Sequence, residues 1–92
     1  MRVTQKRLEE LIFALNVKYD LPTEPYEKVG DEYVAQKGNM HLDYAYGAYA
    51  VDQFCYDNSS AVHQIISRRS GRELYEFLSG ALFTPRLTKE DI

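Results

Sequence analysis

Residues 32–56 read EYVAQKGNMHLDYAYGAYAVDQFCY, and the punctuation of this stretch decides the fold. Short β-branched and aromatic runs at 32–37 and 40–44 are strand signals, and the Gly38-Asn39 dipeptide between them favours positive φ and predicts a hairpin. Met40, Leu42, Tyr44 and Tyr46 alternate with His41, Asp43 and Ala45, so the two faces should differ in polarity. Gly47 breaks the run, which predicts a bend, bulge or tight reversal there and a third strand over 48–56. Asp57-Asn58-Ser59-Ser60 reads as a turn, after which Val62, Ile65 and Ile66 suggest a short fourth strand with imperfect alternation. The short connections make the pairing antiparallel.

Working outward, both flanks carry helical periodicity. Leu8, Leu11, Ile12 and Leu15 recur at i, i+3, i+4 and i+7, which predicts a helix over 5–17. Thr4 is its natural N-cap, and Val3 is placed to pack on Leu8 as a hydrophobic staple. On the other side, Ser70-Gly71-Arg72-Glu73 has the form of a capping box, followed by Leu74, Phe77, Leu78, Ala81 and Leu82 on one stripe, until Pro85 stops the helix.

Between the first helix and the sheet, residues 20–32 contain Pro22, Pro25 and Gly30 and five carboxylates against Lys28 alone, the composition of an acidic connector. Residues 84–92 read as a C-terminal tail. The expected fold is α+β: an antiparallel three- or four-stranded sheet flanked by an N-terminal and a C-terminal helix, in the order α-β-β-β-(β)-α. Both helices would cover one sheet face. Ninety-two residues suit a single domain, since a chain of this length buries about 60 to 65% of its unfolded surface.

Composition narrows the class of partner. A net charge of −3 supplies no long-range positive field to gather phosphate backbones or anionic lipid. The longest apolar run, Leu11 to Leu15, falls far short of the roughly 20 residues of a membrane span. Glu9 and Glu10 interrupt what would be the apolar core of a signal peptide, and the single Cys55 forms no intramolecular disulfide, so a reducing, cytoplasmic location is expected.

Candidate chemistry is sparse. His41 and Asp43 lie two apart on a predicted strand and point the same way, as an oriented His–carboxylate pair requires, but Ser59 and Ser60 lack any motif that would make one of them a nucleophile. His41, His63 and Cys55 are scattered without the paired spacing of a zinc site. We therefore expect no catalytic residue, no metal and no cofactor. Arg68, Arg69 and Arg72 gather at the start of the second helix, where backbone N–H groups also favour anions. They read either as a phosphate or nucleotide-signal site, as in a ligand-sequestering homo-oligomer, or as a solvated basic turn that pairs with the acidic connector.

The middle segment holds Tyr33, Tyr44, Tyr46, Tyr49, Tyr56 and Phe54. Aromatic sheets stack single-stranded bases when cations line the strand path, but here Lys37 stands against Asp31, Glu32, Asp43, Asp52 and Asp57. Nucleic acid is disfavoured. Tyrosines of this kind suit a protein interface, since each offers a large area at low entropic cost, with core packing as the competing explanation. The candidate partner-binding residues are His41, Asp43, Tyr44, Tyr46, Gly47 and Tyr49.

The segment Asn39-Met40-His41-Leu42-Asp43-Tyr44-Ala45-Tyr46-Gly47-Ala48-Tyr49 resembles a family of small uncharacterised proteins of tailed phages and prophages, whose pattern is roughly N-x-H-L-x-x-A-Y-G-G-Y. The resemblance extends to Glu24-Pro25-Tyr26 and to Arg72-Glu73-Leu74-Tyr75, and covers the chain from about Leu8 to Leu82. Ala48 departs from the second glycine of the pattern, and residues 57–67 replace a glycine-rich stretch. The resemblance implies a mobile-element origin and expression in a bacterial cytoplasm, and it brings no established activity. Together these readings lead to the expectation of a non-enzymatic phage accessory protein that binds a host macromolecule, as an inhibitor of a defence system such as CRISPR-Cas would.

Overall fold

Thr4 starts the first helix by the chemistry its sequence position suggests: its backbone is extended and its hydroxyl accepts the Arg7 N–H at 3.2 Å. In this computed structural model, which describes residues 3–56 and 61–83, helix α1 spans Gln5–Lys18. It ends in a Schellman arrangement, with Leu21 N–H donating to the Asn16 carbonyl at 2.8 Å and Asp20 N–H to Val17 at 3.2 Å. Asp20 takes the left-handed position, φ 56°, that glycine more often fills. Helix α2 spans Gly71–Phe83. Ser70 caps it, accepting Glu73 N–H at 3.2 Å while its hydroxyl donates to the Glu73 carboxylate at 3.0 Å.

The helices pack on each other and on the same sheet. Leu8, Leu11, Ile12 and Leu15 of α1 meet Leu74 and Leu78 of α2 over Val51, with Val3, Met40, Leu42, Tyr49, Ile66, Tyr75, Ala81 and Leu82 around the margin. Lys18 ties the two helices at their C-terminal ends, donating to the carbonyls of Ala81 at 2.7 Å and Leu82 at 3.1 Å. No helix among the described residues is long and apolar enough to cross a membrane.

The α+β class and the two flanking helices stand, while the strands among the described residues number five in two sheets. Strands β1 (Tyr26–Val29) and β2 (Glu32–Ala35) form a separate antiparallel hairpin. Strands β3 (Met40–Ala45), β4 (Ala48–Phe54) and β5 (Val62–Arg69) form an antiparallel sheet in that order. Strand β1 thus lies inside the stretch read as a connector, because Gly30, with φ 63°, and Asp31 make a two-residue turn between the paired Val29 and Glu32.

Gly38-Asn39 does not close the hairpin that its composition suggests, since β2 and β3 do not pair. Gly38 has φ 92°, but it and Asn39 instead run alongside β4. Gly38 N–H donates to Phe54 O at 3.0 Å, and Phe54 N–H donates to Asn39 O at 3.1 Å. The buried Asn39 amide also holds the Pro22 carbonyl at 2.8 Å, so tertiary bonds override the local turn preference.

The reversal expected at Gly47 is present. Strand β5 is longer than Val62, Ile65 and Ile66 suggested, and it takes in Arg68 and Arg69, which the sequence placed at the helix start. It carries one extra residue between Ile66 and Arg69 and another between Gln64 and Ile66, and these bulges spoil its alternation. The 57–60 turn and the 84–92 tail lie outside the described residues.

Candidate interaction surface

The β3–β4 hairpin is built by a two-residue loop. Ala45 pairs with Ala48, and the two residues between them, Tyr46 and Gly47, both have positive φ, 55° and 72°. That is the type I′ turn, whose right-handed twist matches the flanking strands and which favours Asn-Gly or Gly-Gly. Tyr46 therefore does not extend the Met40, Leu42, Tyr44 row, as simple alternation suggests, because the chain has already left the strand. A bulky side chain at left-handed φ is uncommon and strained. Its ring is 97% exposed, so packing within the fold does not offset that strain.

Beneath the loop, Arg68 fixes the hairpin from two strands away. Its side chain crosses β4 over the small Ala48 and the fully buried Ala50, forms an ion pair with Asp43, and donates to the carbonyls of Asp43 and Ala45 at 3.4 Å and Ala48 at 3.2 Å. The guanidinium also stands 6.0 Å from the Tyr46 ring centre. On the other face Tyr44 and Tyr49 stack across the strands at 4.7 Å. Tyr49 then lies against the start of α2, 3.2 Å from where a side chain on Gly71 would begin.

His41 and Asp43 share a face but not a partner. His41 Nδ1 is 3.2 Å from Asn39 Oδ1, and because Asn39 Nδ2 already donates to Pro22, that oxygen must accept. Nδ1 is therefore the protonated nitrogen. The imidazole rests on the buried Phe54 at 4.7 Å, and Tyr26 of β1 closes the other side of Phe54 at 5.5 Å. His41 thus serves to hold the small hairpin onto the sheet, and Asp43 is held by Arg68, so no oriented His–Asp pair forms.

The three arginines are not gathered into one site. Arg68 faces Asp43, Arg69 lies over Phe77 at 5.6 Å and bonds Ser67, and Arg72 pairs with Glu76 on the outer surface of α2. Among the described residues no group of three His, Cys, Asp or Glu side chains is placed to hold a metal ion. Cys55 is half-buried and His63 exposed.

An open cleft of about 330 Å³ lies between α1 and the start of β3. Ile12, Phe13, Pro25, Met40 and Leu42 make its apolar lining, and Glu9 and Glu24 contribute carboxylates. Sequence reading missed the residue that shapes it, Asn16. Buried to 1% exposure, its amide donates to Met40 O at 2.9 Å and accepts Met40 N–H at 3.0 Å, as a neighbouring strand would. The signal was available: Asn16 sits four residues after Ile12 and eight after Leu8, on the apolar stripe itself. Comparison with protein-family models, with curated proteins and with solved structures returned no match.

Proposed function

We propose that this chain is a non-enzymatic binding protein that engages a protein partner through the β3–β4 hairpin, with Tyr46 as the anchoring side chain. The single observation that carries the reading is the state of that residue: 97% exposed, at φ 55°, in a turn position where asparagine or glycine is favoured. Strain of this kind at an exposed aromatic is a mark of a contact surface. Tyr44, 54% exposed and stacked on Tyr49, broadens the apolar tip, and Arg68 and Asp43 hold it rigid, which lowers the ordering cost of binding. Against catalysis stands the separate commitment of His41 and Asp43 to Asn39 and Arg68.

The resemblance of residues 39–49 to small tailed-phage proteins adds that the partner belongs to a bacterial host, with defence systems such as CRISPR-Cas the first class to examine. The test is affinity capture from host lysate with tagged wild type and with Tyr46→Asn, which keeps the turn and removes the ring. A specific host protein retained by the wild type and lost with the variant supports the reading. Equal retention by both, or retention of nothing across permissive hosts, refutes it.

A further inference from the structure

The edge of β3 has a pattern that identifies an occupant. In an antiparallel ladder, hydrogen-bonded and non-hydrogen-bonded pairs alternate. The two-residue loop makes Ala45 and Ala48 a bonded pair, and the single bond from Phe54 N–H to Asn39 O keeps the same phase, so His41, Asp43 and Ala45 turn their backbone groups toward β4. Met40, Leu42 and Tyr44 turn theirs outward. Asn16 satisfies Met40 on both counts, which independently confirms the phase. The edge is thus closed at Met40 by α1 and ends after Ala45 at the turn, leaving Leu42 and Tyr44 as the portion that no described strand pairs with.

An open edge of two alternate residues is complementary to itself. When two such edges meet antiparallel about a two-fold axis through Asp43, Leu42 of each copy exchanges both backbone bonds with Tyr44 of the other. This register sets Tyr46 of one copy level with Met40 of the other, the residue that lines the cleft. There the exposed ring, which lies on the Arg68 face of its own sheet, meets the Pro25 side of the cleft, and its hydroxyl has the Glu24 carboxylate as an acceptor. Asn16 closes the ladder at the level where the second copy's chain turns away. On the far face the two Asp43 side chains come together at the axis, a like-charge contact that the Arg68 behind each of them offsets, so the row of four charges is neutral overall.

We infer that the chain forms a two-fold dimer through the β3 edges, giving a continuous six-stranded sheet, with Tyr46 of each copy seated in the cleft of the other. The inference rests on the reading of the hairpin as a protein contact surface and names a second copy as its resting occupant, which a host protein would have to displace from Tyr46. The opposite edge, β5, carries two bulges and offers no comparable ladder.

The test is sedimentation of the intact chain from micromolar to millimolar concentration, together with amide hydrogen exchange. The expected mass rises from 10.7 kDa toward twice that value, the Leu42 and Tyr44 amides gain protection with concentration, and Tyr46→Asn weakens association about thirtyfold, the loss typical of a buried aromatic anchor. A wild type that stays at 10.7 kDa throughout overturns the inference. A dimer that leaves those two amides unprotected, or that Tyr46→Asn forms equally well, does the same. A monomeric wild type whose captured host protein is still lost with Tyr46→Asn overturns the dimer alone and leaves the proposed function standing.

Discussion

Replacing Tyr46 by asparagine should make the isolated fold more stable while it weakens binding. At φ 55° a residue with a side chain pays for contact between its Cβ and the following carbonyl, about 1–2 kcal/mol in the left-handed region, and asparagine is among the few that visit it readily. Against this gain stands what the ring contributes. At 97% exposure it buries almost nothing, and its one aromatic contact, Arg68 at 6.0 Å from the ring centre, is worth about 0.5 kcal/mol at an exposed site. The balance favours asparagine by about 0.5–1.5 kcal/mol, which for a domain of this size raises the melting temperature by about 2–12 °C. Tyr46→Ala separates the two effects, since it removes the ring and keeps the strain; it should match or fall slightly below the wild type. Thermal and urea unfolding of the three proteins at high dilution measures both differences. A less stable Tyr46→Asn would refute the reasoning, because it would show that the tyrosine serves the fold itself and that its strained position needs no binding partner to explain it.

Two further outcomes follow from the same structure. Asn16→Leu preserves volume but leaves the Met40 N–H and C=O without partners, so urea denaturation should show a loss of about 2–4 kcal/mol and exchange of the Met40 amide should quicken. Gly80→Ala, at an exposed position in α2 with no described atom within 4 Å of the new Cβ, should stabilise by about 0.5–1 kcal/mol, read as a higher urea midpoint at unchanged slope.

The parts of this fold that sequence reveals are those whose signals are local. Leu8, Leu11, Ile12 and Leu15 mark α1 because helical periodicity is a property of the chain alone, and Thr4 and Ser70 cap their helices through bonds that span three residues. Gly47 marks a reversal for the same reason. Two glycine dipeptides with equal local claims then diverge. Gly30-Asp31 turns a hairpin, whereas Gly38-Asn39 is drawn along β4 by bonds to Phe54 and to Pro22, which is distant in sequence. The arginines illustrate the same limit. Arg68 and Arg69 look like a cluster along the chain, but neighbouring residues of a strand point to opposite faces, so one reaches Asp43 and the other Phe77. The tyrosine-rich composition of the tip was legible in the sequence; the strain at Tyr46 was not, because it depends on how many residues the loop contains.

The two edges of the main sheet are treated differently, and the difference bears on function. An exposed strand edge invites unintended pairing, and proteins blunt it with bulges, charge or covering elements. Strand β5 has two bulges. Strand β3 is blunted only at Met40, by a polar side chain placed within the apolar stripe of α1, a costly position that is tolerable because both amide atoms are bonded. Leu42 packs at the margin of the core, but the half-exposed position 44 could have carried a blunting residue such as lysine. Instead it holds a half-exposed tyrosine, two residues before the strained Tyr46. The open groups, the exposed rings and the strain coincide on one short segment, and that coincidence is what supports the proposed docking surface over core packing alone.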